Sequence, residues 1–169
     1  MNFIFTKKAR ISFSILMLIG VVAAVYGFMT DHTPHHNRFW ANLLINGFFY
    51  FAISLGALFF LALQYATEAS YMVVLKRVIE GISQYIYVGS AVLIIVFLGG
   101  TLHWHHLYHW MDPAVFDINS EQYDKIIAGK AAYLNQPFFW IRTLLYLGVW
   151  TYFAKLFRKR SLLEDQEGG

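Results

Sequence analysis

Cysteine is missing from this chain, and charged residues are scarce. None of the 169 residues is Cys, and Asp, Glu, Lys and Arg together make up only 14% of them. The absence of thiols excludes disulfides, thiolate-held iron–sulfur clusters, haem attached through a CxxCH motif and a cysteine nucleophile within these residues. The low charge, beside 58% apolar residues, is untypical of a soluble domain and indicates a membrane protein.

Long uncharged runs account for most of the chain. Four of them reach the roughly 20 apolar residues that a helix needs to cross the hydrocarbon core of a bilayer. We therefore expect an all-α polytopic membrane protein, with residues 1–169 forming a single four-helix transmembrane bundle. The predicted spans cover about residues 11–29, 39–66, 82–102 and 137–157, and the one long loop covers residues 103–136.

Lys and Arg are distributed unevenly around these spans. Nine of them lie before span one, between spans two and three, or at the end of span four and after it. Four lie toward the opposite ends of the spans, namely Arg38, Lys125, Lys130 and Arg142. Basic flanks stay in the cytoplasm, so both termini are predicted to be cytoplasmic and the long loop external. The same placement explains the basic charge without nucleic acid as a partner.

The first span also has features of a secretory signal peptide, because basic residues precede its apolar run. The run is long for a signal peptide, and no small-x-small cleavage site follows it. We expect an uncleaved membrane anchor. Cleavage would leave three spans and the same cytoplasmic C-terminus.

Histidine is concentrated at the outer end of span three, in the stretch TLHWHHLYHWMDP at residues 101–113. If the helix continued through it, His103 and His106 would share one face, and His105 and His109 another. A metal site needs more ligands in fixed geometry, and no His lies within another span to oppose a haem ligand, so we expect neither on this chain. Two readings stay open. The stretch is an aromatic–histidine belt at the membrane interface, or it serves proton exchange or a quinone-like head group.

Ionisable residues near the membrane are the other candidates for function. Glu68 and Glu80 lie beside Lys76 and Arg77, where local ion pairing is expected. Arg142 lies inside span four and either needs a counter-charge, for which Asp112 on the same side is a plausible partner, or must extend outward to the membrane surface. The full set of quinol-binding or proton-handling candidates is His103, His106, His109, Asp112, Arg142, Glu68 and Glu80. No ladder of Asp, Glu and His crosses the four spans, which disfavours a complete proton path in this chain.

Four motifs together resemble one family of membrane proteins. They are RFWANLL at residues 38–44, ALQYATEASYMVVLKRVIE at 62–80, HWMDP at 109–113 and GKAAYLNQPFF at 129–139. In this combination the chain resembles the second large membrane subunit of bacterial alternative complex III, which is similar to the polysulfide-reductase-type (NrfD-like) membrane-anchor family. The resemblance extends from about residue 10 to residue 165.

The resemblance implies a multi-pass subunit of a quinol:cytochrome c oxidoreductase in the bacterial cytoplasmic membrane. Its role there would be structural, with proton conduction as a further proposal, and it would not be catalytic alone. Haem c and iron–sulfur clusters would lie on partner subunits, which are multihaem cytochromes c and an iron–sulfur protein. A related NrfD-like subunit would hold the quinol site, and menaquinol is the quinol implied.

Two alternatives and one departure accompany this reading. The first alternative is direct quinol binding at the outer face by Asp112, His106, His109 and Arg142. The second is a metal or proton transporter that uses the histidine-rich face. The departure is one of length: members of the family are longer and have more helices, so the chain is expected to be part of a longer subunit.

Overall fold

The computed structural model describes residues 6–67 and 73–167, and this part of the chain consists of helices joined by turns and loops, without β-strands. Short 3₁₀ turns at Pro34–His36, His109–Met111 and Pro113–Val115 interrupt the connections between helices. The helices are α1 (Lys7–Met29), α2 (Asn37–Thr67), α3 (Val73–Ser83), α4 (Tyr85–Thr101), α5 (Lys125–Ala128) and α6 (Gln136–Glu167). The all-α prediction is therefore confirmed.

Three helical segments of the described chain are long and apolar enough to cross a membrane: Lys7–Met29, Pro34–Thr67 and Leu75–Thr101. They agree with the first three predicted spans and indicate a membrane protein. Helix α6 has 32 residues, which is long enough to cross, but Arg142 and several Trp and Tyr residues make it less apolar. The fourth span and the cytoplasmic termini therefore stay predictions. Following the predicted orientation, we call the end that carries the histidines the outer end and the opposite one the inner end.

The core lies between α2, α4 and α6. Helices α2 and α4 approach closely at Gly89, where an added Cβ atom would lie 2.9 Å from the Phe51 ring. Small residues at such crossings allow close backbone approach where lipid supplies no hydrophobic driving force. The buried cluster consists of Phe51, Leu58, Leu61, Ile86, Leu93, Leu147, Ala154 and Phe157.

Helix α1 stands apart from this core, because none of its described residues is buried. Contact with α2 is made at the outer end, where the Phe28 ring stacks on His36 at 4.2 Å and meets Phe39 edge-on at 5.2 Å. The described structure is thus a three-helix core with α1 attached at one end. A closed four-helix bundle stays a prediction.

A break at Gln84 separates α3 from α4 and divides the third apolar segment. Helix α3 is amphipathic, with Ile79 packed against the core and Lys76, Arg77 and Glu80 at the inner end. The strongly apolar part begins only with α4 at Tyr85, three residues later than the predicted start of span three. At the inner end, Glu80 of α3 lies in contact with Arg158 of α6.

Candidate functional site

Helix α4 ends at Thr101, before the histidine stretch begins. His103 adopts a left-handed conformation with φ of 57°. Its N–H donates to the Gly100 carbonyl at 3.2 Å, and the Trp104 N–H donates to the Gly99 carbonyl at 2.8 Å. This pattern is a Schellman motif, which satisfies carbonyls that a helix end leaves unpaired. Because the helix ends here, the histidines that follow do not share helical faces, as they would if α4 continued through them.

His105 is the histidine that turns inward, with only 1% of its surface exposed. Its Nε2–H donates to the Val96 carbonyl at 2.9 Å, and its Nδ1 accepts from the Leu107 N–H at 3.4 Å. Its ring also packs against the Trp40 ring, with centroids 4.9 Å apart. Both ring nitrogens are thus occupied in the neutral form, one as donor and one as acceptor.

Burial lowers the pKa of His105 from its ordinary value. The hydrogen bond to Val96 opposes this by raising the pKa, and nearby His106 lowers it further. A second proton would have to sit on Nδ1, where it would face the Leu107 N–H instead of an acceptor. His105 therefore serves as a neutral structural connector in this fold.

Gly99 and Gly100 make room for the side chains that follow α4. An added Cβ atom on Gly99 would lie 3.1 Å from His105 Cδ2. On Gly100 it would lie 2.9 Å from the Met111 sulfur, closer than real Cβ contacts allow. The two glycines let the outer loop fold back onto the end of the helix.

His106 contacts His35 of the first loop and lies near His103. The His106 ring meets His35 edge-on at 4.4 Å and lies 6.1 Å from the His103 ring, measured between centroids. The His106 N–H donates to Asn37 Oδ1 at 3.1 Å, which joins the outer loop to the start of α2. Across residues 6–67 and 73–167, no group of three or more His, Asp or Glu side chains is arranged to hold a metal ion.

The outer loop is tied to α6 as well. Gln136 Nε2 donates to the Met111 carbonyl at 3.5 Å, and the Trp110 ring packs edge-on against Phe139 at 5.2 Å. Trp140 Nε1 donates to Thr101 Oγ1 at 3.1 Å, which links α6 to the end of α4. We call this joined region the outer cap and define it by residues Asn37, Trp40, Gly99–Met111, Gln136, Phe139 and Trp140. His109, another predicted candidate, is exposed within it.

Asp112 and Arg142 do not form the ion pair suggested by the sequence. Asp112 Oδ1 accepts from the Ala114 N–H at 3.0 Å and so begins a 3₁₀ turn. The Arg142 guanidinium instead lies over the rings of Tyr133 and Phe138, 3.6 Å and 4.4 Å from their centroids. Phe138 is one helical turn before Arg142, so an aromatic face is already at hand and stabilises the cation.

The sequence reasoning missed Asp31, which is buried in the turn between α1 and α2. Its carboxylate accepts from the Thr33 N–H at 2.9 Å, the Thr33 hydroxyl at 2.6 Å and the Phe39 N–H at 2.7 Å. These hydrogen bonds, led by that of the Thr33 hydroxyl, lower the pKa of Asp31 to about 2. The signal was present as an Asp-x-Thr-Pro sequence just before an apolar helix, which is typical of a capped turn.

At the inner end Glu80 is buried, and one of its carboxylate oxygens accepts hydrogen bonds from two arginines. Its Oε2 lies 2.9 Å from Arg77 Nη1 and 2.7 Å from Arg158 Nη1. Arg77 Nη1 also lies 3.1 Å from Ser161 Oγ. The predicted pairing of Glu80 with Arg77 is confirmed, and Arg158 of α6 is an added partner. The other predicted inner candidate, Glu68, lies outside the described residues.

The predicted candidates therefore fall into separate local structures. His106 contacts His35 and lies near His103, Asp112 caps a turn, Arg142 stacks on aromatic rings and Glu80 lies at the opposite end. Among the described residues, no hydrogen bond, ion pair or ring contact joins His106, Asp112 and Arg142 to one another. No protein-family model matches this chain, and no curated protein matches it either.

Proposed function

We propose that this chain is an integral membrane subunit of a respiratory quinol:electron-acceptor oxidoreductase of the alternative complex III type. Its role in that complex is structural, and it holds no redox centre of its own. The observation that carries the proposal is the outer cap. Three of the four motifs behind the family resemblance, which are far apart in sequence, meet there.

The contacts of the cap join HWMDP directly to GKAAYLNQPFF, while RFWANLL contacts the outer loop at His105, which precedes HWMDP. Trp40 of RFWANLL packs against His105, and Met111 of HWMDP accepts a hydrogen bond from Gln136 of GKAAYLNQPFF. Trp110 and Phe139 add an edge-on ring contact between the last two motifs. We therefore propose that these motif residues serve to hold the cap together and do not bind a cofactor.

The exposed apolar surface supports a place within a larger membrane assembly. Helix α1 buries no side chain, and on α6 the exposed fraction is 52% for Tyr146 and 61% for Tyr152. Lipid tails or helices of neighbouring subunits cover such surfaces in a membrane. We propose that the neighbouring subunits are the related NrfD-like subunit, the iron–sulfur subunit and the multihaem cytochromes of the complex.

The test is purification of the native assembly through an affinity tag on this chain. We expect haem c, iron and quinol:cytochrome c oxidoreductase activity to be purified in fixed ratio with the chain. Separation of the subunits should leave this chain without haem, iron or other metal. A chain that purifies alone, or a stoichiometric redox cofactor on it, would contradict the proposal.

A matched pair of variants then tests the structural role of the cap. His105→Ala should reduce the amount of haem recovered per tagged chain, because the cap loses its central contact. His109→Ala should leave that ratio unchanged, because His109 is exposed. If both variants recover the same amount of haem per tagged chain, the cap is not needed for assembly of the complex.

Quinol binding is a second candidate function, supported by a groove of about 900 Å³ between α1 and the outer half of α2. Gly20, Ala23 and Leu43 form part of its apolar wall, and Arg38 and Asn42 belong to its polar lining. The Asn42 amide donates to the Arg38 carbonyl at 2.9 Å, which leaves its oxygen to accept from a hydroxyl. An apolar wall with polar groups suits a quinol, which joins an isoprenoid tail to a hydroxylated ring.

A photoreactive menaquinone analogue tests the second candidate on the purified complex. We expect labelling of α1 or α2 that declines with unlabelled menaquinol and with Asn42→Leu. Labelling confined to partner subunits would overturn it and leave the structural role intact. The third reading, a metal or proton transporter that uses the histidine-rich face, stays a prediction.

A further inference from the structure

A basic cleft opens at the inner end between the start of α4 and the end of α6. Its volume is about 370 Å³. Three of its residues are cationic, and its remaining lining is amide, phenol and aliphatic. The lining residues are Gln84, Tyr87, Lys155, Arg158, Lys159, Leu162, Leu163 and Gln166.

The charge of the cleft is of one sign. Lys155, Arg158 and Lys159 contribute three positive charges, and none of the described residues lining the cleft is acidic. Glu80 lies behind Arg158 and not in the lining, so it offsets part of that charge without entering the cleft. A ligand that fits this lining carries negative charge.

Glu80 fixes the position of the arginine at the cleft wall. Arg158 Nη1 donates to the buried Glu80 Oε2 at 2.7 Å, while the Arg158 side chain remains 40% exposed. An anchored guanidinium loses little further conformational freedom when it meets an anion, because its rotamers are already restricted. The cleft is thus partly organised before a ligand binds.

Gln84 adds a donor that the fold does not use. Its Nε2 atom is buried and has no hydrogen-bond partner in the part of the chain that the structure describes. It lies at the one-residue interruption between α3 and α4, where the backbone keeps helical dihedral angles, and it belongs to the lining of the cleft. Buried donors without a partner are rare, and an anionic oxygen in the cleft would supply one.

The depth of the cleft indicates the source of the anion. Lys155 lies within the last turn of the predicted fourth span, and Tyr87 within the first turn of α4. This level corresponds to the lipid head groups at the cytoplasmic side in the predicted orientation. We propose that this cleft binds the phosphate group of an anionic phospholipid.

Native mass spectrometry of the full chain in detergent tests this proposal, with phosphatidylglycerol and phosphatidylcholine as probes. Lys155→Gln with Lys159→Gln should weaken phosphatidylglycerol binding about 5-fold for each charge removed. The matched control, Lys7→Gln with Lys8→Gln in α1, removes the same charge from the same predicted side. It should change the affinity less than 2-fold.

A second variant and a second anion complete the test. Gln84→Glu keeps the side-chain size and should weaken binding of phosphatidylglycerol by repulsion, with binding of phosphatidylcholine unchanged. If the α1 control loses as much affinity for phosphatidylglycerol, the effect comes from the overall charge of the protein, and the proposed site is wrong. Inorganic phosphate that competes at the concentration at which phosphatidylglycerol binds would identify a phosphate site and overturn the lipid assignment.

Discussion

The two ends of the helical core stabilise their polar groups by different means. At the outer end, neutral His105 binds a backbone carbonyl and packs on Trp40. At the inner end, buried Glu80 is held by Arg77 and Arg158, whose side chains are 44% and 40% exposed. The outer end relies on packing and local hydrogen bonds, while the inner end relies on charge that reaches from the core to solvent.

This difference predicts unequal sensitivity to mutation. Removing the partners of a buried charge lowers the free energy of unfolding far more than removing those of an exposed charge. Removing a buried neutral group lowers it only by the packing and the hydrogen bonds that are lost. Variants at the inner end should therefore have the larger effect, and their effect should depend on which partner is removed. Variants at the outer end should depend on side-chain shape and on pH.

The largest effect is expected when Glu80 keeps its charge and loses both cations. Arg77→Met with Arg158→Met should lower the free energy of unfolding by about 3–5 kcal/mol. Glu80→Gln should cost less, because the half-exposed arginines can turn to solvent. Reversible unfolding in mixed detergent micelles measures both. A triple variant that also carries Glu80→Met should recover much of the loss, and failure to recover would show that ion pairing is not the cause.

A smaller effect is expected from the cap. His105→Ala should lower the free energy of unfolding by about 2–4 kcal/mol, because it leaves a cavity beside Trp40 and removes two hydrogen bonds. His105→Phe keeps the ring and should cost less. His109→Ala is the control and should change stability by less than about 0.5 kcal/mol. Equal costs for His105→Ala and His109→Ala would contradict the buried role of His105.

Acid should weaken the outer end in two steps. Burial lowers the pKa of His105 below 6.5, so its contribution is complete above that pH and declines as the pH falls below it. Asp31, with its pKa lowered from 3.8 to about 2, gives a second loss as the pH falls from about 4 toward 2. Thermal unfolding midpoints against pH measure both steps. His105→Phe should remove the first and Asp31→Asn the second; unchanged profiles would contradict the assignment.

The smallest effect is expected at His103 and has the opposite sign. A left-handed conformation is costly for residues with a Cβ atom, so His103→Gly should raise stability by up to about 1 kcal/mol. His103→Val should lower it, because β-branched residues tolerate this conformation least. The same unfolding assay measures both variants. A loss of stability in the glycine variant would indicate that the ring contact with His106 outweighs the backbone cost.

The helices were predictable because apolar runs without charge leave little alternative in a membrane. The break at Gln84 and the separation of α1 from the core were not, since both depend on how faces pack and not on hydropathy. The pairing of Glu80 with Arg77 followed from their closeness in the sequence. Its second partner, Arg158, comes from a helix 78 residues away in sequence, and spacing carries no information about that contact.

The candidate site was less predictable than the fold. Sequence reasoning named His103, His106 and His109, yet the buried histidine is His105, because the helix ends before it and the chain turns back. Arg142 was assigned a carboxylate partner on grounds of charge. The nearby rings of Tyr133 and Phe138 offered a closer one. Local geometry at the end of α4 decided which histidine is buried, and it rests on His103, a left-handed residue that is not a glycine.

The contact between Gly100 and Met111 links two positions that should vary together among natural sequences. A Cβ atom at position 100 would come within 2.9 Å of the Met111 sulfur, so a larger residue there requires the side chain at position 111 to shift or to become smaller. Paired changes at 100 and 111 would then mark chains that share the turned-back outer loop. Sequences that enlarge position 100 alone would have a different outer surface.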